Sequence, residues 1–276
     1  MRRNLSIVLF IFFSLIFSAC KNQELIKPGD TLLVAFEKSK SLYDDQKWGD
    51  AAKAFETVLS IGRGTEIAEE AQFLLAESYF KNESYLVAAA EYERFTLFHP
   101  DSPLREESDY KIAMSYLNLS PRFKLDQNYT NRAIENFRVY ISRYPSNPRA
   151  DTAGFQIDEL RNKLAEKLHH AADFYMRIDR YNAAAIYFDQ VISQYPESKW
   201  AETSLVEQIE AYILYADNSV AERQVERYQK ALDSYATYLQ LFPRGSQRSR
   251  AEELYDIAQE ALNRLNDQRE MVISEN

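Results

Sequence analysis

Residues 85–100 read Tyr85-Leu86-Val87-Ala88-Ala89-Ala90-Glu91-Tyr92-Glu93-Arg94-Phe95-Thr96-Leu97-Phe98-His99-Pro100. Ala88 and Tyr92 are four apart and lie on one face of a helix. The alanine lets a neighbouring helix come close, and the aromatic ring fills the gap beside it. Pro100 lacks an N–H and disfavours helical backbone at the residue before it, so the helix must stop there.

The phrase recurs. Pro145, Pro196 and Pro243 close Arg143-Tyr144-Pro145, Gln194-Tyr195-Pro196 and Leu241-Phe242-Pro243. Twelve residues before each stand Ala133, Ala184 and Ala231, with Phe137, Phe188 and Tyr235 four residues on. A fifth copy starts at Ala51 and Phe55, where Gly62 and Gly64 replace the proline as helix stop. Recurrence of one unit along the chain is the mark of a repeat architecture. A first helix precedes each copy. Ala76 with Tyr79, Ala172 with Tyr175, and Ser39 with Leu42 stand twelve and nine residues before Ala88, Ala184 and Ala51. Ala113 with Tyr116, and Ala211 with Leu214, take the same place if about eight residues are inserted before the second helix. Trp48, Tyr85 and Tyr181 begin the second helix of three copies.

The small residue and tyrosine of the first helix, the alanine and aromatic of the second, and the closing proline resemble the tetratricopeptide repeat. The fold class this implies is all-α, a superhelical solenoid of five such helix pairs plus a C-terminal capping helix. Helices are expected over 30–45 and 47–61, 66–81 and 84–98, 102–119 and 128–143, 148–178 and 181–194, 198–217 and 221–241, with a cap over 246–266 that covers the open apolar end. One position departs from the pattern. The small residue expected seven after the second-helix alanine is Val58, Phe95, Tyr140, Val191 or Tyr238, which should push neighbouring helices apart. Few glycines and few β-branched runs argue against a sheet.

The N-terminus reads differently. Arg2 and Arg3 precede an apolar run from Leu5 to Phe17, ending Phe17-Ser18-Ala19-Cys20. A basic start, a short apolar middle and small residues at a cut make a secretory signal, too short to span a bilayer as a helix. A cysteine directly after the cut marks a bacterial lipoprotein, so Cys20, the one cysteine of the chain, is the expected lipid-bearing residue. The expected organisation is 1–19 signal peptide, 20–29 lipidated tether, 30–266 repeat solenoid and 267–276 flexible tail. With a single cysteine, disulfides and cysteine-based metal sites are excluded. The chain carries 33 basic against 42 acidic side chains, net −9. Loss of residues 1–19 removes Arg2 and Arg3 and no acid, leaving 31 against 42, or −11. Such a chain lacks the basic footprint that nucleic acid requires.

No catalytic signature is found: no His-Glu-x-x-His, no Gly-x-Ser-x-Gly, no phosphate-cradling glycine loop. His99 lies in a helix-ending phrase and is expected to pack or cap. His169 and His170 are adjacent and diverge by about 100° on a helix, so they cannot chelate one ion together. His170 and Asp173 can, but no third ligand stands nearby, so no metal site is expected. The pairs Glu69-Glu70, Glu106-Glu107 and Glu252-Glu253 read as solvated helix faces, and Arg244, Arg248 and Arg250 as solvating charge. Arg161, Lys163 and Lys167, on the long fourth-repeat helix, admit two readings. One is a solvated face paired with Glu159 and Glu166. The other is a docking surface for an acidic partner. The chain reads as a binding scaffold and not an enzyme, with no cofactor beyond the covalent lipid on Cys20.

The order of features resembles the BamD family (also ComL or YfiO) of outer-membrane protein assembly lipoproteins, which joins a lipidated cysteine directly to five such repeats. Phe98-His99-Pro100-Asp101-Ser102-Pro103 and Tyr144-Pro145-Ser146-Asn147-Pro148 look like its linkers. Asp126-Gln127-Asn128, with Ala133 and Phe137 following, resembles its third repeat. Lys163-Leu164-Ala165-Glu166, followed by Ala172-Asp173-Phe174-Tyr175, resembles its fourth. The resemblance implies a lipid anchor on the periplasmic face of the outer membrane. It also implies later repeats docked on the periplasmic domains of a BamA-like barrel protein, and earlier repeats handling unfolded barrel clients. The alternatives are a repeat adaptor of the Tol-Pal or cell-division type, which usually carries an N-terminal coiled coil for which no heptad run exists here, and a helical sugar-binding lipoprotein.

Overall fold

The computed structural model describes residues 25–274. The signal segment 1–19 and Cys20 lie outside the described residues. Those described form eleven α-helices and no strand: α1 Leu32–Asp44, α2 Trp48–Ile61, α3 Glu66–Lys81, α4 Tyr85–Phe98, α5 Arg105–Leu119, α6 Asn128–Arg143, α7 Arg149–Arg177, α8 Tyr181–Gln194, α9 Ala201–Asp217, α10 Ala221–Leu241 and α11 Arg248–Ser274. None is long and apolar enough to cross a membrane. The first ten fall, in chain order, where the helices of the five repeats are expected, and Trp48, Tyr85 and Tyr181 are indeed first residues of α2, α4 and α8.

The repeat register is visible in the caps. His99, Tyr144, Tyr195 and Phe242, each before a closing proline, leave helical geometry with ψ of 52–62°. Each backbone N–H still reaches the carbonyl four residues back, on Phe95, Tyr140, Val191 and Tyr238. Gly62 makes the same bond to Val58, at a ψ of 23°. The difference follows from chemistry: proline forces its predecessor toward extended backbone, and Gly62 has no proline after it.

The chain divides into two compact units, residues up to Ser115 and residues from Tyr116, with the boundary inside α5. In the first unit, Phe36, Ala51, Phe55, Val58, Ala71 and Leu75 pack together between α1, α2 and α3. Its polar centre is Glu77 on α3. Tyr92 donates a hydrogen bond to Glu77 Oε1, Lys111 Nζ lies 2.9 Å from the same oxygen, and Tyr43 donates to Oε2 at 3.5 Å. Burial is tolerable because every charge is matched by a donor.

In the second unit, α8 packs between α7 and α9, and α10 between α9 and α11. Ala251, Leu254, Ala258, Ala261 and Leu262 of α11 seal a cluster with Leu205, Ile209, Tyr228 and Tyr238. This is the capping role expected of the last helix. That helix runs on to Ser274, however, where a tail was expected from 267. Residues 267–274 contain neither glycine nor proline, so nothing stops it. Near the end of the expected tether, Ile26 packs against the first core cluster, and Asp30, the first residue of the expected solenoid, pairs with Lys38 at 2.6 Å.

The five departures from the small-residue rule are all completely buried: Val58, Phe95, Tyr140, Val191 and Tyr238. They act as core plugs, with the Tyr238 hydroxyl donating to Glu202 at 2.9 Å. The two insertions resolve differently. In repeat three the extra residues form a loop, 120–127, between α5 and α6. In repeat five they add two turns to the front of α10, which has 21 residues against 14 in α4 and α8.

Candidate partner-binding site

The three basic residues singled out in the sequence sit on α7, and each has an internal partner. Arg161 donates from Nε to Glu197 and from Nη2 to the Gln194 carbonyl at 2.7 Å, with its guanidinium 5.0 Å from the Tyr195 ring centre. The hydrogen bond to Arg161 holds the Glu197 carboxyl below its ordinary range. Lys163 Nζ donates to Ser120 Oγ at 2.8 Å, and burial pushes its ammonium down. Lys167 Nζ donates to the Leu125 carbonyl at 2.6 Å. One turn on, His170 stacks on Phe123 at 4.9 Å.

Positions 163, 167 and 170 thus form one stripe along α7, at helical spacing, that holds the 120–127 insertion. Gln127 supports the loop from within. Its Nε2 donates to the carbonyls of Arg122, Phe123 and Leu125, at 2.9–3.3 Å, and its Oε1 accepts from Thr130 at 2.6 Å. The solvated face paired with Glu159 and Glu166 is therefore corrected. The hydrogen bonds of the basic residues run to other elements, and Arg161 is separated from the two lysines. Sequence reasoning missed this because the acceptors of the two lysines are a hydroxyl and a backbone carbonyl some forty residues away, which carry no charge signature, and that of Arg161 is a glutamate 36 residues on.

The first unit carries a groove of about 930 Å³. Its walls come from α2 (Glu56, Leu59), the 62–65 turn with Arg63 and Thr65, α3 (Glu69, Gln72) and the end of α4 (Glu91, Arg94, Phe98, His99). His99 caps α4 as expected, and its Nε2 meets Gln72 Oε1 at 3.2 Å. Glu91 is nearly buried, and burial pushes its carboxyl up, partly offset by Arg94 at 3.1 Å. Phe98, 65% exposed, stands at the rim. The groove offers both charges, amide and imidazole hydrogen-bonding groups, and an exposed aromatic ring.

A third cluster joins α7 to α9. His169 is 4% exposed, under Trp200 at 4.6 Å. Its Nδ1 lies 3.0 Å from Ser204 Oγ, and its Nε2 is 3.7 Å from both Asp173 Oδ1 and Glu207 Oε2. Burial, then Asp173 and Glu210, push the Glu207 carboxyl up to about 7. The sequence pairs Asp173 with His170 and expects no metal site; the structure brings His169 and Glu207 to the same carboxylate as well. His169 is the i,i+4 partner of Asp173, and Glu207 comes from the next repeat. His170 meets the other Asp173 oxygen at 3.2 Å.

A family model described as YfiO, outer membrane lipoprotein, matches residues 30–227. The chain belongs to the YfiO family. Membership sets aside the Tol-Pal-type and sugar-binding alternatives. Among curated relatives, the outer membrane protein assembly factor BamD of Vibrio cholerae is 26% identical over 209 residues, covering 72% of this chain and 86% of its own. The factor of the same name from Rickettsia prowazekii is 25% identical over 217 residues, covering 77% and 85%. The solved TPR domain of P58(IPK) aligns over 86% of this chain and 66% of its own, at 14% identity and a TM-score of 0.40. That superposition is too loose to add to the repeat register read from the caps.

Proposed function

We propose that this chain is a non-catalytic scaffold lipoprotein of the outer-membrane β-barrel assembly machinery. In this reading its later repeats dock on a BamA-like barrel protein and its earlier repeats receive unfolded barrel clients. The observation that carries the reading is the YfiO match across residues 30–227, together with relatives named as outer membrane protein assembly factors. The helix-pair architecture supports it, since stacked repeats expose long surfaces suited to extended partners.

The groove of the first unit is the client site in this reading. An extended segment needs hydrogen-bond partners for its backbone and pockets for alternate side chains. Gln72 and His99, with Arg63, Arg94 and the flanking glutamates, supply the first, and Leu59 and Phe98 the second. In the second unit, Phe155 and Phe174 on α7 are 61% and 50% exposed. Aromatic anchors of this kind concentrate binding energy at interfaces, and they suit a docked protein better than the basic trio, whose charges are already engaged. The lipid on Cys20 holds the scaffold at the membrane. More than one acyl chain is required for stable attachment.

Site-specific photo-crosslinking tests the assignment. A photoreactive residue at position 98 is expected to capture unfolded barrel precursors, and one at position 174 a BamA-like barrel protein. Capture of neither class from either position would overturn the reading.

A further inference from the structure

We propose that His169, Asp173 and Glu207 form a binding site for a divalent transition cation of the Zn²⁺ class. The three residues each offer one ligand atom, all within 4.8 Å of one another. For bonds of about 2.1 Å at the tetrahedral angle, ligand atoms lie roughly 3.4 Å apart. The two 3.7 Å separations from His169 Nε2 are within a few tenths of that value. His169 and Asp173 are one turn apart on α7, the i,i+4 spacing by which a helix presents two ligands to one ion. Glu207 completes the set from α9, so the ion would tie two helices together.

Two further observations point to a ligand. The His169 side chain is 5% exposed, and its Nε2 makes no hydrogen bond to either carboxylate at 3.7 Å. Glu207 Oε2 is buried and without a hydrogen-bond partner, which ordinarily costs about 1–3 kcal/mol. A buried imidazole nitrogen and an unpartnered carboxylate oxygen therefore lie 3.7 Å apart. The surrounding contacts are those that orient metal ligands. Ser204 Oγ engages Nδ1 of His169 at 3.0 Å, leaving Nε2 for the ion. His170 engages Asp173 Oδ2 at 3.2 Å, leaving Oδ1. Asp173 and Glu207 side chains are 27% and 34% exposed, which leaves the ion a way in from solvent. One imidazole nitrogen among only two carboxylates suits Zn²⁺ and disfavours Mg²⁺ or Ca²⁺, which take shells of oxygen.

The test is calorimetric titration of Zn²⁺ into the full-length protein, extracted in detergent and stripped of metal, with Mg²⁺ as competitor. One strong site per chain is expected, undisturbed by Mg²⁺. Asp173→Asn and Glu207→Gln keep the shape of the side chains and should each weaken binding at least tenfold. Ser204→Ala should weaken it by roughly ten- to a hundredfold. His99→Ala, at the partly exposed histidine of the first unit, should leave Zn²⁺ binding unchanged. Circular dichroism melts of the Asn and Gln variants check that they are folded. Absence of Zn²⁺ binding, binding unchanged in Glu207→Gln, or an equal loss in His99→Ala would each overturn the proposal.

Discussion

Glu77 shows how a single side chain organises a repeat. It is 7% exposed and receives Tyr92, Tyr43 and Lys111 from three other helices. Glu77→Ala leaves the mostly buried Lys111 with only the more distant Glu107, at 4.0 Å, and Tyr92 without its acceptor. Removal of one partner of a buried pair costs about 3–5 kcal/mol, so a large drop in the urea midpoint is expected, and a loss under 1 kcal/mol would show the network to be dispensable. Glu91 gives a pH dependence. Burial raises its folded-state pKa above 4.5, with Arg94 opposing. The folded state therefore binds the proton more tightly than the unfolded one. Its contribution is present below the unfolded pKa and is lost as pH rises through the folded value. Glu91→Gln should flatten the fall in stability from pH 4.5 upward, read from melts across that range. Wild-type and variant curves of identical slope would contradict the assignment.

Helices and their pairing were legible because alanine, aromatic and proline repeat at fixed offsets. Ala51, Ala88, Ala133, Ala184 and Ala231 are all fully buried. Ala133→Trp should overpack α6 by about 1–3 kcal/mol or more, and a variant as stable as wild type would show a loose crossing. What was not legible depended on contacts far apart in sequence. The inserted residues of repeat three needed Gln127, Lys163 and Lys167 to hold a loop, whereas those of repeat five, from Ala221, continued as helix. The glutamate that joins His169 and Asp173 comes from the next repeat. The long helix α7 carries one soft point, Gly154, where an added Cβ meets nothing within 4 Å. Gly154→Ala should stabilise the chain by about 0.5–1 kcal/mol, seen as a raised denaturant midpoint. A lowered midpoint would mean that α7 bends there.

At the scale of the molecule, the two units each hold one of the surfaces proposed for partners, and Cys20, the proposed anchor, precedes both in sequence. Cys20→Ser should leave a soluble or uncleaved form, measured by membrane fractionation and acyl labelling. Unchanged fractionation with no labelled acyl group on the wild type would remove the anchor from the account. The basic trio needs careful treatment, because reversing Lys163 and Lys167 also releases the 120–127 loop. We have proposed that this YfiO-family chain is a scaffold for barrel assembly. Affinity purification of the tagged full-length protein from detergent-solubilised membranes, with identification of what accompanies it, tests that claim most directly. A BamA-like barrel protein with periplasmic domains, recovered in near-equal amount, is the predicted result. Its absence from a preparation in which the tagged protein is intact and membrane-bound would contradict the account.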